Sequence, residues 1–151
     1  MTSTDRRSRS GARGWNVALW SAQVLVAGAF LYAGYIKLVT PIAVLSQMWP
    51  WTGEAPEAFV RSIAVVDLAG GLGMILPGLT RILPHLTVAA AAGCSLLQVF
   101  AIAFHTWRGE AALTTVNYAL LALSAFVLWG RSRKAVLRSP TRAGRPQELG
   151  A

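Results

Sequence analysis

Four apolar stretches, each near twenty residues long, decide what this chain can become. They run from Val17 to Ile36, Phe59 to Leu76, Leu86 to Phe104 and Leu113 to Trp129. At a helical rise of about 1.5 Å per residue, such a stretch extends about 30 Å, the thickness of a bilayer's hydrocarbon core. Backbone amides in hydrocarbon find no water, so a crossing segment must satisfy them internally, and a single stretch does so only as an α-helix. The expected fold is therefore all-α: a polytopic membrane protein built as a four-helix transmembrane bundle. Composition agrees. Of 151 residues, 54% are apolar and 13% charged, whereas a soluble domain carries about a quarter charged residues.

The sequence places the helices at about 15–38, 56–76, 85–105 and 111–130, within a membrane domain of residues 15–130. Residues 1–14 and 131–151 form basic tails; the second is expected to be disordered past Ser139, where Pro140, Gly144 and Pro146 interrupt it. Ala27-Gly28-Ala29 has the form of a signal-cleavage site, but apolar sequence continues to Val39. That exceeds the core of a cleavable signal, so a retained helix is expected. Arg6-Arg7 lacks the apolar residues that follow a twin-arginine signal. The second helix is the weakest span: Pro56 occupies its first turn, Arg61 lies near its start and Asp67 well inside. Pro77 to His85, with Arg81 between two prolines, suits a tight turn.

Charge orients the bundle. Four arginines (Arg6, Arg7, Arg9, Arg13) precede the first helix, and six basic residues (Arg131, Arg133, Lys134, Arg138, Arg142, Arg145) follow the last. With Arg81 they put eleven positive charges on one side, against Lys37, Arg61 and Arg108 on the other. Basic residues stay cytoplasmic and are drawn to anionic headgroups, so both termini are expected inside. The same account makes the lipid bilayer, and not nucleic acid, the partner of the basic tails. Trp15 and Trp129 fall at the inner interface, Trp49, Trp51 and Trp107 at the outer, and Trp20 about a turn deeper.

An ionisable group inside a membrane helix costs roughly 2.5–3.5 kcal/mol on insertion scales and calls for a reason. Asp67 is the clearest instance. It lies about 10–12 Å below the outer boundary, at the helical rise. Gly70 and Gly71 share its face, and small residues let helices approach closely. It therefore points toward another helix. Lys37, near the outer end of the first helix, shares its face with Ala29, Ala33 and Gly34; it either snorkels to water or turns inward to meet Asp67. Gln98 and His105, two turns apart on the third helix, and Asn117 on the fourth complete an expected polar centre in the outer half: Lys37, Asp67, Gln98, His105 and Asn117. Apart from Ser124 on the fourth helix, the inner half offers little beyond Ser21 and Gln23. Plainer roles exist for most of these: interfacial anchoring for Lys37, Arg61 and His105, and interhelical hydrogen bonding for Gln98 and Asn117.

Cys94 is the only cysteine, which rules out an intrachain disulfide, a CxxC pair and a cysteine-rich metal site; it is expected to be a buried small hydrophobe. The Gly70-Gly71-Leu72-Gly73 run has no preceding strand and is no nucleotide loop. The linker from Thr40 to Ala58 has apolar clusters, Pro41 to Leu45 and Met48 to Trp51. They suggest a short interfacial helix or flap over the helix ends, either a simple anchor or an entrance for a lipid-soluble substrate such as a quinone.

The chain resembles the DoxX-like family of small bacterial membrane proteins. The resemblance is carried by Ala33-Gly34-Tyr35-Ile36-Lys37 closing the first helix and by Val65-Val66-Asp67-Leu68-Ala69-Gly70-Gly71-Leu72-Gly73-Met74-Ile75-Leu76 in the second. Ala101-Ile102-Ala103-Phe104-His105 and Asn117 continue it, from about Trp15 to Trp129. The family usually has glutamate where this chain has Asp67. The resemblance implies a multi-pass protein of the bacterial cytoplasmic membrane. Relatives include a quinone-reducing thiosulfate oxidoreductase subunit, a membrane partner in oxidative-stress complexes and a maturation factor for a periplasmic amine dehydrogenase. The implied function is a membrane subunit or partner of a redox system, quinone-linked or concerned with thiol stress, acting with a partner protein or a second copy of itself. The alternatives are a non-catalytic membrane scaffold and, third, a small transporter or proton pathway, whose polar residues should continue to the inner surface.

Overall fold

The computed structural model describes residues 3–83 and 85–134, so the stretch past Ser139 lies outside the described residues. Helices make up all of the described secondary structure: α1 (Ser3–Val39), α2 (Ile42–Met48), α3 (Trp51–Glu54), α4 (Glu57–Thr80), α5 (His85–Trp107) and α6 (Thr115–Trp129). A 3-10 turn, Ala111–Thr114, leads into α6, and a π-helical turn, Gly130–Lys134, extends it. Four segments are long and apolar enough to cross a membrane: Arg13–Val39, Glu57–Thr80, His85–Trp107 and Ala111–Arg133.

The four spans alternate in direction. α1 packs on α4, α4 on α5, α5 on α6, and α6 closes the ring on α1. One end of the bundle holds the α1–α4 and α5–α6 connections and is called the linker end; the other holds the α4–α5 turn and is called the tail end. The spacing of small and apolar residues explains the ring. On α1 the buried positions are Leu19, Ala22, Gln23, Val26, Ala27, Phe30, Gly34 and Lys37, an unbroken three-four stripe of the kind that packs helix on helix. On α4 they are Val60, Ala64, Asp67, Gly71, Met74, Pro77 and Gly78. Lipid is as apolar as leucine, so close packing, and not the hydrophobic effect, must hold such helices together. The glycines supply it. A Cβ on Gly34 would lie 2.8 Å from the Ala64 carbonyl oxygen, and one on Gly71 would lie 2.7 Å from Leu31 Cγ. Gly70 and Gly73 do the same for α5, against Cys94 and Ala90.

Four boundaries differ from the sequence expectation. Residues 3–14 continue α1 as helix instead of forming a separate tail. Pro56 caps α4 from outside, with ψ 135°, so its first helical residue is Glu57. α4 continues through Pro77 to Thr80. Pro77 lacks the N–H that would bond the Gly73 carbonyl, a loss that a packed membrane helix absorbs. The helix ends at Arg81, in the left-handed region at φ 57°, and Leu83, at φ 50°, precedes Pro84; a proline disfavours right-handed helix in the residue before it. Finally, residues 131–134 are helical, and Arg131 is a buried side chain of the bundle, not a tail charge.

The expected flap is two short helices. α2 and α3 pack on each other across the linker end, with Leu45, Trp51 and Thr52 buried. Trp51 meets Phe104 of α5 edge to face, with ring centroids 6.0 Å apart.

Candidate functional site

The register of α1 and α4 sets the geometry of the polar centre. Gly34 lies against Ala64 and Leu68, so Asp67 stands level with it, and Lys37 sits about one turn nearer the linker end. A lysine stem reaches about 6 Å, enough to fold back. Lys37 Nζ donates to Asp67 Oδ2 at 2.7 Å. The lysine therefore turns inward. Both residues are buried, at 9% and 5% exposure. The ammonium also lies over the Trp49 indole, 5.1 Å from its centroid, so the linker following α2 covers the pair. Each side chain supplies the other with a polar partner inside the bundle, and removing one partner of a buried pair costs about 3–5 kcal/mol.

Arg61 locks the rim of this site. Its guanidinium donates to the carbonyl oxygens of Lys37 and Thr40, the latter at 3.0 Å, and to Glu57 Oε1 at 2.8 Å. The last carbonyls of α1 have no intrahelical partner, so Arg61 caps α1 from α4. That is a more specific role than interfacial anchoring.

The other expected members divide. Gly70 faces Cys94 and Gly73 faces Ala90, and this antiparallel register brings Gln98, one turn beyond Cys94, to the height of Asp67. Gln98 is 7% exposed, and its Oε1 has no hydrogen-bond partner among the described residues. His105 is directed elsewhere: its Nδ1 lies 2.8 Å from Glu110 Oε2. Asn117 is half-buried on α6 and makes no hydrogen bond among the described residues. Helix periodicity put His105 and Asn117 on inward faces but carried no signal for Glu110, which lies in a loop.

His105 instead belongs to a clasp. Arg108 donates to both carboxylate oxygens of Glu54, at 2.7 and 2.9 Å, and to Glu110 Oε1 at 3.0 Å. The chain His105–Glu110–Arg108–Glu54 thus ties α3 to the α5–α6 connection. Arg108 hydrogen-bonds and charge hold the carboxyls of Glu54 and Glu110 below their ordinary value of 4.5, and His105 adds to the effect on Glu110. The two carboxylates in turn raise Arg108.

The tail end is more polar than the sequence suggested. Arg131, 1% exposed, donates through Nε to Gln23 Oε1 and through Nη1 to Asn16 Oδ1, each at 2.7 Å. Gln23 Nε2 donates to the Met74 carbonyl oxygen at 2.6 Å, and the Arg131 guanidinium lies 5.3 Å from the Trp20 ring centroid. Thr87 and Ser124 add buried hydroxyls. Polar groups therefore do continue past the apolar middle of Val26, Phe30, Met74 and Val127, which corrects the expectation of a nearly apolar inner half. Arg131 escaped detection because a basic residue after an apolar run ordinarily marks the end of a span.

Among the described residues, no group of three or more His, Cys, Asp or Glu is placed to hold a metal ion. A family model described as the DoxX-like family matches residues 21–127. No curated protein and no solved structure matches the chain.

Proposed function

The chain belongs to the DoxX-like family, and on that premise we propose that it is the membrane subunit of a redox system, quinone-linked or serving thiol-stress defence, that works with a partner protein. Its place is the bacterial cytoplasmic membrane with both termini inside, a reading the excess of basic residues at the tail end supports, so the linker end faces outward. The observation that carries the reading is the Lys37–Asp67 pair, buried at one end of the bundle with Trp49 of the linker over the ammonium. An intramembrane ion pair is costly and is retained where it serves a site or a specific contact. Lys37 offers ammonium hydrogens to a quinone carbonyl, Asp67 holds that ammonium in place, and Gln98, at the same height, supplies a further polar contact. The electrons come from the partner.

The test is activity at matched abundance. Asp67→Asn and Lys37→Ala, expressed to wild-type levels in the membrane, lose stress resistance and quinone-linked activity together. Retention of both by both variants removes the reading.

A second reading has its own support. Gly34 and Gly71 close the α1–α4 seam around the same pair, so the protein also fits a non-catalytic scaffold in which the ions only fix helix register. In that case exchanging the two charges restores function as well as folding.

A further inference from the structure

The outer surface of α1 at the tail end carries an ordered gradient of chemistry. Arg13, Asn16, Val17, Trp20, Ser21 and Val24 recur at three- and four-residue spacing and therefore lie on one face. From the helix's tail end inward, that face passes from a cation to an amide, then to an indole beside a hydroxyl, then to aliphatic side chains. From Asn16 to Leu25 it lines a shallow, open surface groove of about 510 Å³. Gly28, one turn on from Val24 and Leu25, has open space where a Cβ would stand, so nothing blocks the groove's apolar end.

The groove's rear wall is fixed. Arg131 holds the Asn16 Oδ1 and lies against the Trp20 ring, and Arg131 is itself braced on Gln23. With Oδ1 engaged, the exposed Asn16 still has its amide hydrogens to donate. Exposed Arg13, Arg81 and Arg133 all stand at this end of the bundle, giving the polar mouth a positive field. A basic mouth above an apolar trough matches one class of molecule already present in the bilayer.

We infer that this face of α1 is a binding site for one anionic phospholipid, its phosphate at Arg13 and Asn16 and an acyl chain along Val17, Val24 and Leu25 past Gly28. Trp20 lies at the glycerol level, where indoles settle in a membrane interface. The site is independent of the Lys37–Asp67 pair, and its occupation tightens α1 against α6 through Asn16 and Arg131. Zwitterionic lipid fits the trough but gains less from the arginines, because its ammonium offsets its phosphate.

Native mass spectrometry of the full chain in detergent micelles, titrated with phosphatidylglycerol or phosphatidylcholine, tests it. The first phosphatidylglycerol binds tighter than phosphatidylcholine. Arg13→Gln weakens that first step about fivefold, the weight of one arginine near a lipid surface. Val24→Trp, on a lipid-facing position that tolerates bulk, abolishes the first tight step and leaves later, weaker adducts. Leu25→Trp gives a second blocking variant should Val24→Trp fold poorly. Equal affinity for the two lipids overturns the site, as does a blocked variant that binds phosphatidylglycerol as the wild type does, which would assign binding to the basic tails. A quinone retained in the groove in place of lipid also overturns it.

Discussion

Lys37 and Asp67 show how far a single residue pair can be read. Their helices and their small-residue faces were visible in the sequence, because Gly34 on α1 and Gly70 and Gly71 on α4 identify which side of each helix meets a neighbour. Whether the lysine turned inward was not visible, since its stem reaches water and Asp67 equally well. Arg131 was hidden for a related reason: nothing local distinguishes a basic residue that ends a span from one that folds back onto Gln23 and Asn16. The pair makes a prediction at this scale. In detergent unfolding, Lys37→Leu alone and Asp67→Leu alone each destabilise the protein by about 3–5 kcal/mol, while the double substitution costs less than either, because no uncompensated charge remains. Additive losses would show that the two side chains are not coupled.

Among the elements, the seams and the clasp carry the predictions. Gly34→Ala drives a methyl into the Ala64 carbonyl, 2.8 Å away, and neither backbone can yield cheaply. Overpacking of this kind costs about 1–3 kcal/mol. Gly28→Ala and Gly93→Ala meet open space and should be neutral or stabilising by up to about 1 kcal/mol through helix propensity. Thermal denaturation of the three variants checks the contrast. Gly109 differs again: its φ of 76° lets the chain leave α5, a conformation that glycine alone adopts freely. The lid of α2 and α3 was legible as apolar linker sequence, but its fastening was not, because Glu54 and Arg108 are 54 residues apart. The clasp is electrostatic and has a pH signature. Glu54 and Glu110 have depressed folded values, so their contribution is present above the ordinary carboxylate value of 4.5 and is lost as pH falls through the folded values. Amide exchange across Ile42–Glu54 should therefore accelerate in acid, relative to the bundle helices. Arg108→Gln should cause the same change at neutral pH. Exchange that stays unchanged in both would show that the Trp51–Phe104 contact holds the lid without the ions.

For the molecule as a whole, four long apolar runs were enough to specify an all-α bundle, and alternation with short connections left little freedom in its neighbour order. The expected concentration of polar side chains at one end was only half right, because hydropathy weighs Gln23, Thr87 and Ser124 by residue type and cannot report that the bundle buries them. What the whole molecule does rests on one distinction: an ion pair that serves a reaction against one that only bolts α1 to α4. The exchange Lys37→Asp with Asp67→Lys separates them. It preserves the attraction, so the protein should accumulate in the membrane as the wild type does, but it moves the ammonium to α4 and away from Trp49. Quinone-linked activity of membranes carrying the exchanged protein, normalised to its abundance, is the direct measurement. The proposed function predicts normal abundance with activity lost; normal abundance with activity restored would contradict it and leave the pair a structural bolt.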